Sequence, residues 1–338
     1  MILDSHRGKG SFRLRKKAAL ILLISVLITL CFLTVDSAKK IIRSDSQKIS
    51  SIKGEEQRRL VLITQDLDTP FWDGVADGAA RQADKELVSL EVWGSYNNNE
   101  QEFLKKIDIA IQSKVDGLIL QGLDTEEFKE MTKVKASFYG IPVITIANDV
   151  PMTESLRKTY VGSDQFKAGK MLASSLIQDM GQSGSVVLLY DSHSEFYQEE
   201  RLRGIQDEFS QYPDIKLVLT ETAHTREPVI AATQGVLNTY PDAKAFIALN
   251  GKMAGPMIQE ISKRFQIKPM FLYTFDDGPE LQPLLEEEKL DGIVKQDPEM
   301  MGEIGVQRLL EWLDGETVPL NINGYYTDIH IVKAGKVQ

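Results

Sequence analysis

The sequence predicts an α/β protein with two doubly wound lobes, each built on a parallel sheet. Three observations predict this fold class. From residue 60 onward, short continuous apolar runs alternate with helical patterns, which is typical of parallel strands covered on both faces. The alternation restarts after Gly169, so that two α/β sets follow one another. The chain has 338 residues, more than the roughly 250–300 at which a single core stops growing.

The individual elements follow from the spacing of apolar residues. Helices are expected over 74–86, from about residue 100, and from after 169 to 180. Continuous apolar runs predict buried strands at 60–63, 88–93, 115–120, 142–146, 185–190, 216–220, 245–249, 270–275 and 292–294. Because sets of this kind form separate sheets, we expect one sheet from the strands before Gly169 and another from those after it.

Composition and charge argue against several classes of protein. The chain carries 49 acidic against 39 basic residues, a net charge of −10, whereas broad nucleic-acid binding needs a basic face. Its single cysteine builds no intramolecular disulfide or thiolate cluster, and its four histidines disfavour a His-rich metal site. The sequence has no Ser-His-Asp order, nucleophile elbow, phosphate loop or metal-ligand spacing. We therefore expect no nucleic-acid partner, no metal, no cofactor and no enzymatic activity.

The first 58 residues differ from the rest in charge and hydropathy. Residues 1–38 hold six basic and two acidic side chains, a net charge of +4, so the rest of the chain carries a net charge of −14. Residues 18–35 carry no charge and as a helix would span roughly 27 Å, just enough for a bilayer core. Cations before such a span stay cytoplasmic. We predict a basic cytoplasmic tip at 1–17, a single-pass membrane anchor at 18–35 and a stalk at 36–58, with the body on the extracytoplasmic side.

Two other interpretations of this segment remain open. A cleaved signal peptide needs a small residue where Asp36 stands, so the end of the apolar run is a poor cleavage site. Cys31 suggests a lipoprotein, but Leu30 precedes it where a lipoprotein signal needs a small residue. The retained anchor is therefore the favoured prediction.

Polar residues directly follow five of the predicted strands. In doubly wound folds, ligands bind beyond the carboxyl ends of the strands, and two lobes bring these ends face to face. Capping of the following helix is the alternative for any single position. Five strand ends of the same character indicate a small-molecule cleft, lined by residues 65–72, 147–149, 250–251, 275–277 and 295–298.

A series of ordered motifs resembles one family of receptors. The motifs are TPFW at 69–72, VDGLIL at 115–120, GIPVITI at 140–146, YVGSDQFKAGKMLA at 160–173, ERLRGIQDEF at 200–209, YPDAKAFIALNGKMA at 240–254, TFDDGPEL at 274–281 and IVKQDPEMMGEIGV at 293–306. With them, nearly all of 60–332 resembles the type I periplasmic binding proteins. More narrowly, it is similar to the ribose-binding-like sugar receptors and the ligand domains of LacI-type repressors.

The resemblance implies how the two lobes are connected. In that family three strands form a hinge, which here implies chain crossings near 161–163, 296–297 and 324–326. The lobes are accordingly expected to be discontinuous, with 59–162 plus 297–325 in the first and 163–296 plus 326–338 in the second.

The resemblance also implies a sugar site in the cleft. Phe71 and Trp72 look like the aromatic pair that faces the sugar, since a pyranose has an apolar C–H face for which Trp72 offers a flat platform. Membership of the lobe core is the alternative, and we allow it for Phe71 alone. Arg201 occupies an Arg-x-x-Gly position, where its guanidinium offers two donors to adjacent hydroxyls, with Arg203 as the nearby competitor. The implied ligand-binding set is Asp68, Phe71, Trp72, Asn148, Arg201, Asn250, Asp276 and Gln296.

The remaining members of this set are carboxylates and amides. Asn148 looks like a hydroxyl contact on the hinge side, although the family often has Asp-Arg where this chain has Ala147-Asn148; Asp149 is its possible substitute. Asn250 and Asp276 follow strands, and the mixture of donors and acceptors favours a neutral polyol such as a monosaccharide. A non-sugar small molecule, such as an amino acid, an inositol or an autoinducer-like compound, is the alternative.

The resemblance and the predicted anchor imply two possible protein partners. The family most often delivers its ligand to an ABC permease, and the predicted anchor also suits signalling to a membrane histidine kinase. LacI-type repressors carry a helix-turn-helix of about sixty residues in front of this body, where this chain has the apolar segment. A membrane-tethered transcription regulator and a hydrolase are therefore disfavoured, while the importer and sensor roles both stay open.

Overall fold

The computed structural model shows an α/β body with two separate sheets. It describes residues 57–335 with gaps at 68, 97, 193–194, 265–269, 277 and 279. The predicted tip, the anchor and the stalk up to residue 56 lie outside the described residues. Across the part of the chain that is described, no helix is both long enough and apolar enough to cross a bilayer.

Strands and helices alternate along most of this body. In chain order the strands are β1 (Arg59–Thr64), β2 (Ser89–Gly94), β3 (Gly117–Gln121), β4 (Val143–Ile146), β5 (Thr159–Gly162), β6 (Gly184–Asp191), β7 (Ile215–Thr222), β8 (Ala245–Ala248), β9 (Phe271–Phe275), β10 (Gly292–Gln296), β11 (Tyr325–Tyr326) and β12 (Ile329–Lys333). The helices are α1 (Pro70–Lys85), α2 (Glu100–Gln112), α3 (Glu126–Glu130), α4 (Met152–Ser155), α5 (Gln165–Met180), α6 (Phe196–Phe209), α7 (Arg226–Thr239), α8 (Gly251–Arg264), α9 (Leu281–Glu286) and α10 (Pro298–Leu313). A π-helical turn, Met131–Ala136, extends α3.

Each lobe is organised around one six-stranded sheet. The first sheet has the order β11-β5-β4-β3-β1-β2 and is parallel throughout. The second has the order β12-β10-β9-β8-β6-β7 and is parallel except for β12, which runs antiparallel to β10. The prediction of two parallel-sheet lobes is confirmed. The antiparallel edge strand was not predicted. Only two residues separate β11 in the first sheet from β12 in the second, so β12 starts beside the carboxyl end of β10 and runs in the opposite direction.

The core lies on both faces of each sheet. In β1, Leu60 and Leu62 pack into one apolar cluster, whereas Val61 and Ile63 pack into another on the opposite face. All four side chains are fully buried. Because alternate residues of a strand point to opposite faces, a continuous apolar run is what a strand covered on both sides requires.

The chain passes from one sheet to the other at three places. These lie between β5 and α5, between β10 and α10, and between β11 and β12. The crossing segments lie at one lateral edge of each sheet, formed by β11 and β5 in the first sheet and by β12 and β10 in the second. We refer to this edge as the hinge.

Two predicted helix starts are wrong, because capping residues place them earlier. Helix α1 begins at Pro70 instead of residue 74, since the Thr69 hydroxyl accepts a hydrogen bond from the backbone N–H of Trp72. Helix α5 begins at Gln165 instead of after residue 169, since the Asp164 carboxylate accepts from the N–H of Lys167. Each cap satisfies a helix N–H that has no partner within the helix. As a result, Phe71 and Trp72 lie on the first turn of α1.

Candidate functional site

Arg201 is placed by a close contact between α5 and α6. A Cβ atom on Gly169 would lie 2.1 Å from the carbonyl oxygen of Arg201, and one on Gly204 would lie 2.1 Å from the carbonyl oxygen of Phe166. Only glycine at both positions lets the two backbones approach this closely. The contact fixes the first turns of α6 beside the carboxyl ends of β8 and β9. Arg201 is 2% exposed there.

The guanidinium of Arg201 is held by a two-pronged ion pair. Its Nη1 and Nη2 donate to the two carboxylate oxygens of Asp276, each at 3.0 Å. Its Nε donates to Oε1 of Gln165 at 2.8 Å. The group lies over two aromatic rings, with its central carbon 4.9 Å from the ring centroid of Tyr197 and 4.4 Å from that of Phe275. Such an arrangement fixes the direction of the N–H donors. A planar guanidinium can be held in this way, whereas a lysine ammonium on its flexible stem cannot.

Gln296 closes this network into a ring. Its Nε2 donates to Oδ1 of Asp276 at 2.5 Å, and its Oε1 accepts from Nε2 of Gln165 at 3.2 Å. Asp276 itself has φ of +66°, a backbone conformation that a non-glycine residue rarely adopts and that occurs at binding sites. The structure thus brings together three of the residues implied by the resemblance, Arg201, Asp276 and Gln296. We call these three residues and Gln165 the Arg201 network.

Asn148 faces the second lobe across the cleft. Its Nδ2 donates to Oε2 of Glu195 at 2.8 Å. The preceding residue, Ala147, has φ of +64°, so the end of β4 also carries a strained backbone. Burial, followed by repulsion from Asp191, raises the pKa of Glu195 to about 7. The cleft therefore contains a carboxyl group whose charge changes near neutral pH.

Asp149 is engaged within the first lobe. Its carboxylate accepts from Nε and Nη2 of Arg157 at 2.6 and 2.7 Å and from the Thr145 hydroxyl at 2.6 Å. With these three donors, the Asp149 carboxylate is hydrogen-bonded within its own lobe and stabilises the loop that follows β4. Asn148, rather than its proposed substitute Asp149, is the residue of this loop that bonds to the opposite lobe.

Phe71 and Trp72 occupy different environments. Trp72 is 7% exposed and belongs to the apolar core beneath the first sheet, together with Leu60 and Val75. Phe71 is half-buried at the edge of that core. Their rings meet edge to face, with centroids 5.5 Å apart and an angle of 85°. Most of the Trp72 side chain is thus buried in the core, while part of the Phe71 ring stays exposed.

Asn250 lies just after the carboxyl end of β8. Oδ1 of Asn250 accepts from the N–H of Lys252 at 2.9 Å, which is a helix-capping contact at the start of α8. The ammonium of Lys252 reaches the opposite lobe and lies 3.2 Å from Oδ2 of Asp66. Asp68 lies outside the described residues. Arg203, the competitor of Arg201, is 64% exposed and pairs with Glu200 at 2.5 Å.

Four residues of the cleft were not in the predicted ligand-binding set. Asp66 follows β1 and lies within the predicted cleft segment 65–72, whereas Glu195 follows β6, a strand end that the sequence analysis did not include. Lys252 stands two residues after Asn250, in the first turn of α8. Gln165 had no signal, because the start of α5 was placed too late. Two contacts between the lobes, Asn148 to Glu195 and Asp66 to Lys252, come from this set.

Comparison with known proteins identifies a family. The family described as periplasmic binding protein domain matches residues 60–317. The ribose import binding protein of Escherichia coli is 25% identical over 274 residues, which cover 81% of this chain and 90% of that protein. The ribose import binding protein of Bacillus subtilis is 24% identical over 312 residues, covering 92% and 97%.

Solved structures show the same fold. GanP, a glucose-galactose binding protein from Geobacillus stearothermophilus, superposes with a TM-score of 0.77 at 28% identity, covering 84% of this chain and 99% of that one. A chain of the XylFII-LytSN complex superposes with a TM-score of 0.71 at 21% identity, covering 84% of this chain and 100% of that one. The likeness extends over both lobes.

Proposed function

The chain belongs to the periplasmic binding protein family, and we propose that it is an extracytoplasmic receptor that closes its two lobes on a small neutral sugar. The observation that carries this proposal is the Arg201 network, which presents oriented donors and acceptors at the carboxyl ends of β8 to β10. Relatives that are named for ribose, and a structural neighbour named for glucose and galactose, support a sugar as the ligand. Binding without catalysis is the activity proposed.

The chemistry of the network suits a neutral polyol. Arg201 is already neutralised by Asp276, so an anionic ligand would find no unpaired positive charge there. Sugar hydroxyls both donate and accept, and they can therefore bond to the amide of Gln296 and to the remaining lone pairs of the Asp276 carboxylate. Phe71 offers an apolar ring face at the other side of the cleft.

Closure requires contacts from both lobes. A ligand shifts the balance between open and closed states only by the difference in its affinity for them. Asn148 on the first lobe and the Arg201 network on the second supply contacts that a bound sugar makes together only when the lobes are close. The direct contacts Asn148–Glu195 and Asp66–Lys252 stabilise the same closed arrangement.

The membrane anchor and the partners belong to the same proposal. The uncharged run at 18–35, preceded by cations, supports a single-pass anchor with the body outside the cell. An ABC permease is the partner that we propose first, since the relatives are named as import binding proteins. The XylFII-LytSN complex supports the second candidate, in which the closed receptor signals through a membrane-bound protein such as a histidine kinase.

Isothermal titration calorimetry of the full chain in detergent tests the ligand class. The panel contains pentoses, hexoses, inositols and amino acids. We expect binding of at least one pentose or hexose, and we expect Arg201→Lys to abolish it while the exposed neighbour Arg203→Lys leaves it unchanged. Binding of amino acids alone would refute the sugar assignment.

A further inference from the structure

A pocket of about 530 Å³ lies between the lobes on the hinge side of the Arg201 network. Its walls come from the loop after β4, the starts of α5 and α6, and the hinge segment around β11. A volume of this size lies within the roughly 300–1,000 Å³ of small-molecule sites. Arg201, Asp276, Asn250 and Gln296 are not among the residues that line it. It is therefore a separate space from the predicted sugar site.

The walls of this hinge pocket are rich in aromatic rings. Tyr160 and Tyr326 from the first lobe meet at an angle of 66°, with centroids 6.3 Å apart. Phe166, Phe196 and Tyr197 line the pocket from the second lobe. Flat rings on opposing walls suit the apolar faces of a sugar ring.

The charged groups at the pocket already have partners. Asp149 is paired with Arg157, Glu200 is paired with Arg203, and the Asp164 carboxylate accepts from the backbone N–H of Lys167. A charged ligand would have to compete with these contacts in a partly buried site, which is costly. Carboxylate oxygens keep lone pairs beyond their ion pairs, so they can still accept hydrogen bonds from ligand hydroxyls. A neutral ligand with several hydroxyl groups fits this lining best.

Ser163 supplies a polar group that lacks a partner. It lines the pocket, it is 1% exposed, and its hydroxyl makes no hydrogen bond within the described part of the chain. Its neighbourhood is otherwise satisfied, since the Tyr160 hydroxyl donates to the carbonyl oxygen of Ala147 at 2.9 Å. A buried hydroxyl without a partner costs free energy, which a ligand hydroxyl at this place would recover.

The hinge pocket adjoins the Arg201 network at Gln165, a member of the network, and at Tyr197, which contacts it. Gln165 lines the pocket while its amide bonds to both Arg201 and Gln296. Tyr197 lines the pocket while its ring lies against the guanidinium of Arg201. A ligand held by the network therefore lies next to the pocket.

We infer that the hinge pocket binds the second ring of a two-ring ligand, so that the preferred substrate class is a neutral disaccharide or comparable glycoside. This inference rests on the proposed function, because the first ring occupies the Arg201 network. The second ring packs against Tyr326 and Tyr160 on one lobe and Tyr197 on the other, with a hydroxyl bonded to Ser163. Since both lobes line the pocket, its occupant also favours the closed state.

Calorimetry with matched ligand pairs tests the inference. The full chain in detergent is titrated with D-galactose and β-1,4-galactobiose, D-xylose and xylobiose, L-arabinose and arabinobiose, and D-glucose and cellobiose. We expect one disaccharide to bind at least about tenfold more tightly than its monosaccharide, a difference of about 1.4 kcal/mol. Binding of monosaccharides with no tighter disaccharide would overturn the inference but leave the proposed function standing. Failure of every sugar would remove both.

Variants locate the second ring. Tyr326 is 53% exposed and does not touch the Arg201 network, so Tyr326→Ala leaves the fold and monosaccharide binding intact. We expect it to lower disaccharide affinity about tenfold, and we expect Ser163→Ala to act in the same direction. Tyr139→Ala, at a 49% exposed tyrosine remote from the cleft, is the matched control. Equal losses for both ligand classes, or no loss in either pocket variant, would contradict the assignment.

Discussion

Replacement of Glu195 by glutamine tests the electrostatics of the cleft. The usual pKa of a glutamate is 4.5, and burial raises that of Glu195 to about 7. Since one pKa unit corresponds to about 1.4 kcal/mol, the charged form is disfavoured in the folded protein by on the order of 3 kcal/mol. Glutamine keeps the shape of the side chain and an oxygen that can accept from Asn148, but it carries no charge.

The sign of the pH dependence follows from the raised pKa. Below pH 4.5 the carboxyl group is protonated in both the folded and the unfolded state, and it carries no penalty. As the pH rises from 4.5 through 7, the unfolded state loses its proton first, so the contribution of Glu195 to stability falls. Above pH 7 the full penalty remains. Glu195→Gln should therefore stabilise the ligand-free protein at pH 8 and do so much less at pH 5, where the difference is below about 1 kcal/mol.

Thermal unfolding at the two pH values is the assay. Each kcal/mol corresponds to about 2–4 °C in Tm for a body of this size, so Glu195→Gln should raise Tm by several degrees at pH 8. Glu316→Gln, at an exposed glutamate on the surface of the first lobe, is the control and should change Tm little at either pH. An equal gain for Glu195→Gln at pH 5 and pH 8 would refute the reasoning, as would a loss at pH 8.

Three further predictions concern binding and packing. Arg201→Lys should remove sugar binding, because an ammonium cannot reproduce the two bonds to Asp276; unchanged calorimetric affinity would contradict this. Gly204→Ala should lower Tm strongly, because its Cβ would lie 2.1 Å from a backbone oxygen of α5; a wild-type melting curve would count against the helix contact. Trp72→Ala should destabilise the fold by about 3–5 kcal/mol in denaturant titration, whereas Phe71→Ala should mainly weaken binding. If Trp72→Ala mainly weakened binding and Phe71→Ala mainly destabilised the fold, Trp72 would be the sugar contact and Phe71 the core residue.

Much of the fold was predictable from local sequence. Fully buried strands such as β1 need continuous apolar runs, and such runs are visible without knowledge of the fold. The helix starts were harder, because Thr69 and Asp164 act through single hydrogen bonds that leave the apolar spacing unchanged. The edge strand β12 depends on how the chain returns through the hinge, which no local pattern records.

The site was predictable where the strand ends determine it. Asp276 and Gln296 come together because parallel strands bring their carboxyl ends to one edge of a sheet. Arg201 reaches them from the first turns of α6. The contact of Asn148 with Glu195 joins residues 47 positions apart in different lobes, and their pairing depends on the hinge angle. Charge and residue type alone therefore did not indicate it. The burial of Trp72 likewise follows from the position of α1 against the sheet, since an aromatic residue suits a core and a sugar platform equally well.

A distance measurement between the lobes tests the central claim most directly. Tyr96 follows β2 and Glu227 lies at the start of α7 after β7, so both stand at the ends of the sheets farthest from the hinge. In a Cys31→Ser background, Tyr96→Cys and Glu227→Cys carry a spin-label or fluorophore pair on the full chain. We predict that a sugar bound in calorimetry shifts the population to the shorter distance, and that Arg201→Lys prevents the shift. A sugar that binds while the distance distribution stays unchanged would contradict closure of the two lobes on their ligand.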